Sequence, residues 1–459
     1  MRDIIAIWLG RVAGRLSRWL GRGGGTTLPG AVARRVAPHL LPHLTQQLAL
    51  GVVLVAGTNG KTTTTRMIAA LLEAAGVRLV HNRSGANLVS GITAIMLSAV
   101  DWRGRVRADM ALFECDEAAL PQVVRETRPR MVVLHNLFRD QLDRYGEVDT
   151  IATNWLHALH QLAPDAVVCV HGDDPSLARL ASQLTCHVVV YGNDDVQSAR
   201  GSVVHLADAG FCRCGTPLTY TTRFYAHVGH FFCGNCGFVR PVPEYALTQV
   251  HSTGLHGSEL QVRTPTASVD LHLPLPGLYN ALNAVAAYAT VTELGYQPDV
   301  NAVFAQMPAA FGRYEVVHTG QHEVVMALIK NPVGASETIR MLVEAWAEPA
   351  AVLIIINDRD ADGTDVSWLW DADFEYLVPA VRAVTVSGLR AADMQVRLYY
   401  AGLDTALLQR IDALDTALDA CLQALPTNAT LYVLPTYTAM LEFRALLVAR
   451  GWAKPFWQD

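Results

Sequence analysis

The chain has 459 residues, 51% of them hydrophobic and 17% charged, a formal net charge of −6 and eight cysteines. These values fit two or three globular domains and exclude a disordered chain, a disulfide scaffold and a protein drawn globally to nucleic acid. No apolar run approaches the roughly 20 residues of a membrane span. Arginines interrupt the first apolar stretch, unlike a signal peptide, so the expected location is the cytoplasm.

Residues 4–20 read as a basic amphipathic helix. Ile5, Trp8, Leu9, Val12, Leu16, Trp19 and Leu20 recur at helical spacing, with Arg11, Arg15, Arg18 and Arg22 largely elsewhere on the wheel. Such a helix either lies on an anionic membrane surface or packs on its own domain or a partner. Gly21 to Gly25 read as a flexible link after it.

From about residue 50 the pattern is α/β, with apolar strands expected at 52–56, 109–113, 130–135, 166–170 and 187–191. Intervening helical segments imply a mainly parallel sheet, whose ligands gather beyond the C-terminal ends of its strands. Residues from about 200 to 246 break the pattern as an insertion rich in Gly, aromatics and Cys. Regular α/β is expected to resume at Leu271, and a further α/β unit starts near 320, with strands at 323–329, 351–356, 383–386 and 431–434. The domain division is 1–45 (helix and linker), 46–315 (nucleotide-binding domain carrying the insertion) and 316–459 (C-terminal α/β domain).

The most informative stretch is Val52-Val53-Leu54-Val55-Ala56-Gly57-Thr58-Asn59-Gly60-Lys61-Thr62-Thr63. A strand enters a glycine turn and leaves as a helix, which is the build of a phosphate cradle: backbone N–H groups and the positive helix end face an anion. Lys61 reaches the outer phosphates and the Thr62 hydroxyl is a Mg²⁺ ligand. The chain has only three lysines, Lys61, Lys330 and Lys454. A compact ammonium fits between phosphates where a guanidinium does not. Glu114, at the end of a neighbouring strand, is the expected second Mg²⁺ ligand, because a hard cation takes oxygen.

Cys212-x-Cys214 and Cys233-x-x-Cys236, with glycine after each pair, suit a tetrahedral structural Zn²⁺ site, with His227 and His230 as spare ligands. Few basic residues surround it, which argues against nucleic-acid binding.

The short spacing Gly57-x-x-Gly60-Lys61-Thr62 resembles the P-loop of the Mur ligase and folylpolyglutamate synthetase superfamily. Gly277-x-x-Asn280-x-x-Asn283 resembles the superfamily's adenine-side helix, and Gly312-Arg313-Tyr314-Glu315 its element in which arginine meets the γ-phosphate. In the segment resembling the Asp-His-Leu-Asp of Mur ligases, Gln141 replaces the histidine that supports a second metal. No lysine lies between Lys61 and Lys330, so the carbamylated lysine common in Mur ligases has no counterpart in its usual place.

His81 to Asn87, Lys330-Asn331-Pro332-Val333-Gly334, the Asp- and Trp-rich Asn357 to Glu375 and the cysteine insertion make the chain similar to the MurT family, the ATP-binding subunits of lipid II isoglutaminyl synthase. That resemblance implies a Mur ligase-type P-loop domain with a zinc-ribbon insertion plus a C-terminal α/β domain. It also implies ATP- and Mg²⁺-dependent activation of the D-glutamate α-carboxylate of lipid II, and ammonia from a GatD-type class I glutaminase partner. None of Cys115, Cys169, Cys186 and Cys421 sits in a nucleophile elbow, so the glutaminase is expected on another chain. By resemblance Asp365 completes the partner's triad and orients its histidine. The bland alternative is that these acids cap a short helix near Ser367, a role open to Asp362 or Asp371. The rival functions are an amino-acid-adding ligase and an ATP-switched zinc-ribbon regulator that binds nucleic acid.

Overall fold

The computed structural model describes residues 2–19, 27–82, 86–139, 148–199, 209–307 and 314–454. Two large sheets organise it. The first has nine strands: β1 Val52–Ala56, β2 Leu79–His81, β3 Met110–Glu114, β4 Met131–Leu134, β5 Val167–His171, β6 His187–Asn193, β9 Tyr245–Ser252, β10 Ser258–Arg263 and β11 Ser268–Leu273. A separate hairpin, β7 Thr219–Tyr225 and β8 Val228–Phe232, belongs to the cysteine insertion. The spatial order is β11-β10-β9-β6-β5-β4-β1-β3-β2.

Strands β2 to β6 pair in parallel, β9 joins β6 in parallel, and β10 and β11 extend the edge antiparallel. Here the structure departs from the expectation that α/β resumes only at Leu271. Residues between Tyr245 and Leu273 are a meander with polar residues on one side, because that edge is half solvated and needs no crossover helix.

The two central strands β1 and β4 are apolar at every position because both faces are covered. Val53 and Val55 enter one core and Val52, Leu54 and Ala56 the other, as the period-two alternation of a strand requires. One core packs beneath the helix Lys61–Ala74 and the helix Leu278–Glu293. The other packs beneath α1 Arg2–Trp19, α2 Leu28–Val36, α3 Leu40–Thr45 and their neighbours.

The second sheet comprises β12 Glu315–His318, β13 Glu323–Met326, β14 Ala350–Ile355, β15 Val381–Ser387, β16 Leu408–Arg410 and β17 Thr430–Pro435, in the order β12-β13-β17-β14-β15-β16. Only β12 is antiparallel to its neighbour.

The first helix packs on its own domain, but not by the face its large apolar residues suggest. Ala6, Ile7, Gly10, Gly14 and Ser17 face inward. A Cβ on Gly10 would lie 2.7 Å from the Pro29 carbonyl and 2.8 Å from Leu97, and one on Gly14 would lie 2.9 Å from Pro29. The small side allows α1 and α2 to approach closely, and the stripe of Ile5, Trp8, Leu9, Val12, Leu16 and Trp19 is left exposed. Gly10→Leu should therefore overpack this contact by about 1–3 kcal/mol. We expect faster proteolytic cleavage around α1 while the sheet keeps its thermal transition.

Candidate nucleotide and metal sites

The phosphate loop sits at the β1 end of the first sheet. Gly57 has φ 144° and Gly60 φ 86°. A Cβ on Gly57 would lie 2.8 Å from the His135 side chain, and one on Gly60 would overlap the Asn283 amide oxygen. These are the two positions where only glycine fits, and they turn the strand directly into the helix that starts at Lys61. The Asn136 side chain fastens the loop, accepting from the Asn59 N–H at 2.8 Å and donating to the Asn59 carbonyl at 3.2 Å. Thr58 Oγ1 accepts from the Phe138 N–H at 3.0 Å.

Thr62 and Glu114 meet as the sequence suggests: the Thr62 hydroxyl donates to Glu114 Oε2 at 2.8 Å. Two oxygens thus converge beside the helix start, a donor set suited to a hard divalent cation. Asn82 holds the end of β3, accepting from the Glu114 N–H at 2.9 Å and donating to its carbonyl at 2.8 Å. Lys61 is buried, its ammonium donating to the Gly57 and Thr58 carbonyls and lying 3.1 Å from Glu117 Oε1. Sequence reasoning passed over Glu117, although it stands three residues beyond Glu114. A buried ammonium needs such a counter-charge. Thr63 is also buried, in the first turn of the same helix.

The second sheet closes over the loop. Asn331 and Asn59 exchange amide hydrogen bonds at 2.9 and 3.3 Å, and Asn331 also caps the helix Pro332–Ala345 through the Gly334 N–H. Between the two units lies a cleft of about 760 Å³, open on one side, lined by Asn59, Gly60, His135, Asn283, Lys330 and Glu337 among others. Asn283 presents its amide there, while Asn280 is turned back to donate to the Pro276 carbonyl at 2.7 Å. Two of the chain's three lysines, Lys61 and Lys330, thus flank the loop from opposite units.

The floor of the cleft was visible in the sequence only in part, as the polar pair His135-Asn136 that follows the apolar run Val132-Val133-Leu134 at a strand's C-terminal end. The Tyr191 hydroxyl lies 2.8 Å from His135 Nδ1, and His171 stacks on Tyr191 at 5.0 Å. Burial, with His171 and Lys61 nearby, pushes the His135 ring down to about 3, so it is neutral at physiological pH. Its Nε2 is buried with no hydrogen-bond partner among the described residues. His171 and Tyr191 come from the next two strands, β5 and β6, and nothing local marks them.

The four cysteine sulfurs lie within 4.8 Å of one another, with Cys212 to Cys236 at 3.4 Å and Cys214 to Cys233 at 3.5 Å. Zinc–sulfur bonds of about 2.3 Å set tetrahedral edges near 3.8 Å, so the residues fit Zn²⁺. Arg179 ties the knuckles to the domain, donating to Cys212 Sγ at 3.2 Å and stacking on Phe238 at 4.1 Å. His227 and His230 are not spare ligands. His227 is fully buried with Nε2 3.3 Å from Asp174, and His230 Nε2 lies 2.7 Å from the Asn193 carbonyl. Burial acts to raise the Asp174 carboxyl, but His227 and the N–H groups of Leu137 and Leu177 outweigh it and hold the carboxyl below its usual range. The hairpin tip therefore inserts Tyr225 into the wall of the cleft and packs His227 behind it on Phe138 at 4.8 Å, so the ribbon is part of the site's scaffold.

Asp365 lies in the other unit, on the exposed loop after β14. Its carboxylate accepts from the Ser367 N–H at 2.8 Å, which lowers its pKa. It precedes the short helix Ser367–Trp370 without capping it, since Val366 holds the N-cap position and no side chain caps the helix. Asp362 does not cap it; it is buried and bound by the Thr438 N–H and hydroxyl, and burial raises its pKa. Asp371 lies instead 3.5 Å from Arg139. Arg313 and Gln141 fall outside the described residues.

A parallel sheet ending in a shortened glycine–lysine–threonine loop, closed by a second α/β unit, defines a P-loop ligase fold of the Mur type. Residues 55–214 match the family model of the Mur ligase middle domain, and residues 328–440 that of the MurT ligase C-terminal region. The chain is 34% identical to the lipid II isoglutaminyl synthase (glutamine-hydrolyzing) subunit MurT of Streptococcus pneumoniae, over 96% of this chain and 97% of that one. It is 32% identical to the corresponding subunit of Staphylococcus aureus, over 90% and 91%. A crystal structure of MurF from Acinetobacter baumannii superposes with a TM-score of 0.66 at 16% identity, covering 91% of this chain and 80% of that one. The chain belongs to the MurT family.

Gly60→Ala places a side chain at positive φ against Asn283; we expect binding of a nucleoside triphosphate to weaken at least about tenfold by calorimetry. Elemental analysis of the purified chain should find a single zinc ion, and Cys233→Ser should lose it and destabilise the hairpin by several kcal/mol, on the order expected for a structural site.

Proposed function

We propose that the chain is the ATP-consuming subunit of an enzyme that amidates the D-glutamate α-carboxylate of the lipid II stem peptide, with ammonia delivered by a GatD-type glutaminase subunit. The observation that carries this reading is the placement of Lys61, Thr62 and Glu114 at one loop, in a chain that aligns along nearly its whole length with subunits named for that synthase. The reaction divides into two steps. A substrate carboxylate oxygen attacks the γ-phosphorus of ATP, giving an acyl phosphate and ADP. Ammonia then attacks the carbonyl carbon, phosphate leaves and a proton is lost, leaving D-isoglutamine.

A carboxylate is a poor electrophile, and phosphorylation supplies its leaving group. The backbone N–H groups of Gly60 to Thr63, at the start of the helix, cradle the phosphates, and the Lys61 ammonium offsets charge on the outer ones. Thr62 and Glu114 would hold Mg²⁺, which neutralises charge between phosphates when bound. Asn283, with Asn280 behind it, offers an amide to the adenine edge. Arg313 has the γ-phosphate role by family resemblance. Four thiolates leave no open position, so the zinc is structural.

Asp365 is assigned to the partner's active site. It is exposed, ionised and held in a fixed rotamer by Ser367, as a carboxylate that orients a histidine of another chain must be. Trp370, Val396, Tyr399 and Tyr400 leave a large apolar surface on the same unit for that partner. On this reading the complex works in the cytoplasm, at the inner face of the membrane that carries the lipid-linked substrate.

Lys61→Ala should reduce amidation from either nitrogen source by about 10²–10³-fold. Asp365→Asn should abolish amidation driven by glutamine and spare that driven by ammonia, followed by mass analysis of lipid II incubated with ATP and the glutaminase. Equal loss of both would refute the role across the interface. Turnover only with a free amino acid would replace this reading with an amino-acid-adding ligase.

A further inference from the structure

Two elements on one side of the molecule expose large apolar side chains among arginines. The first is the outer face of α1. Ile5, Trp8, Leu9, Val12, Leu16 and Trp19 occupy one arc of the helix, and Trp19 is 81% exposed. At about 100° per residue they fall within an arc of about 100°, a little over a quarter of the circumference. The second is the turn after the helix Val89–Ser98, where Trp102 is 62% exposed and Arg103 stacks over it at 4.4 Å. A Cβ on Gly104 in this turn would lie 3.7 Å from both Ile4 and Ile7, so the turn abuts the N-terminal half of α1.

The charge on this side is opposite to that of the whole chain. Residues 2–19 and 101–107 hold seven arginines against two aspartates, in a chain of net charge −6. Both aspartates are engaged, Asp3 with His43 and Asp101 with Arg107. Arg15, Arg103 and Arg105 are exposed. No helix among the described residues is long and apolar enough to cross a membrane.

We propose that the outer face of α1, together with the Trp102 turn, is a docking surface for an anionic lipid bilayer, on which α1 lies in the plane of the headgroups. The chemistry is that of an interfacial helix: tryptophan and aliphatic side chains enter the headgroup–acyl boundary and arginines meet lipid phosphates. The helix can do this without unfolding, because its small-residue side already holds it to α2. Gly30 touches Ser90 at the start of the helix that follows β2, and Pro29 touches Gly10 and Gly14. The C-terminal part of α1 therefore points towards the end of the parallel strands where the phosphate loop follows β1. Docking here would bring the cleft near the bilayer, which matters because the proposed substrate is lipid-linked; to that extent the assignment rests on the proposed function.

The test is flotation of the full chain with two kinds of vesicle, phosphatidylglycerol mixed with phosphatidylcholine and phosphatidylcholine alone. We expect binding to the first at least about tenfold tighter and weakened by salt. Trp8→Glu combined with Trp19→Glu should abolish it, and Arg15→Ala or Arg103→Ala should each weaken it about fivefold. Failure to bind either vesicle, or undiminished binding by the tryptophan variant, overturns the proposal. So does finding that this variant instead disrupts a dimer of the chain or its complex with a glutaminase. Amidation of a water-soluble stem peptide separates the two readings. Vesicle binding without any amidation would leave this surface standing and sink the function, and amidation without vesicle binding would do the reverse.

Discussion

A buried ammonium must be surrounded by oxygen, and much of this site follows from satisfying Lys61. Desolvating one unpaired charge costs several kcal/mol. The chain meets that cost with the Gly57 and Thr58 carbonyls and with Glu117, which lies beyond the end of the neighbouring strand. That strand is β3, paired to β1 in register from Val52 with Ala111 to Val55 with Glu114. The register that brings Glu117 to Lys61 also brings Glu114 to Thr62. The counter-charge to Lys61 and the Thr62–Glu114 oxygen pair are thus one consequence of a single strand pairing.

The second constraint is the joint between the units. The Asn59–Asn331 amide pair couples the phosphate loop to the first turn of a helix in the other unit, so the loop and the closing element share one hydrogen-bonded contact. Lys330 precedes that asparagine and lines the cleft. A cation supplied from each unit suits a triphosphate held between them, and makes the spacing of the units part of the chemistry.

The cysteine insertion and the first helix show how periphery and centre are linked. The insertion reads as a separate knuckle, yet its hairpin tip reaches the cleft through Tyr225, while His227 anchors it to Asp174 beneath. The first helix reads as amphipathic from its large residues. Its glycines decide which face is buried, because backbones approach closely only where no side chain intervenes. Counting apolar residues at helical spacing identifies the helix and picks the wrong face for the domain contact.

Local pattern in the sequence determined the parallel strands near 52–56, 109–113, 130–135, 166–170 and 187–191, the P-loop, the cysteine cluster and the Thr62–Glu114 pairing, because each rests on side-chain periodicity, on glycine at a turn or on strands paired in the expected order; it missed the antiparallel meander after Tyr245. It also singled out Lys61 and Lys330, through the scarcity of lysine. Only the tertiary structure decided that Glu117 answers Lys61, that Asn331 grips Asn59, that His135, His171 and Tyr191 form the floor of the cleft, and that His227 serves Asp174 rather than zinc. Those contacts join residues tens to hundreds of positions apart, and their energy comes from burial and geometry that exist only once the chain has closed around them.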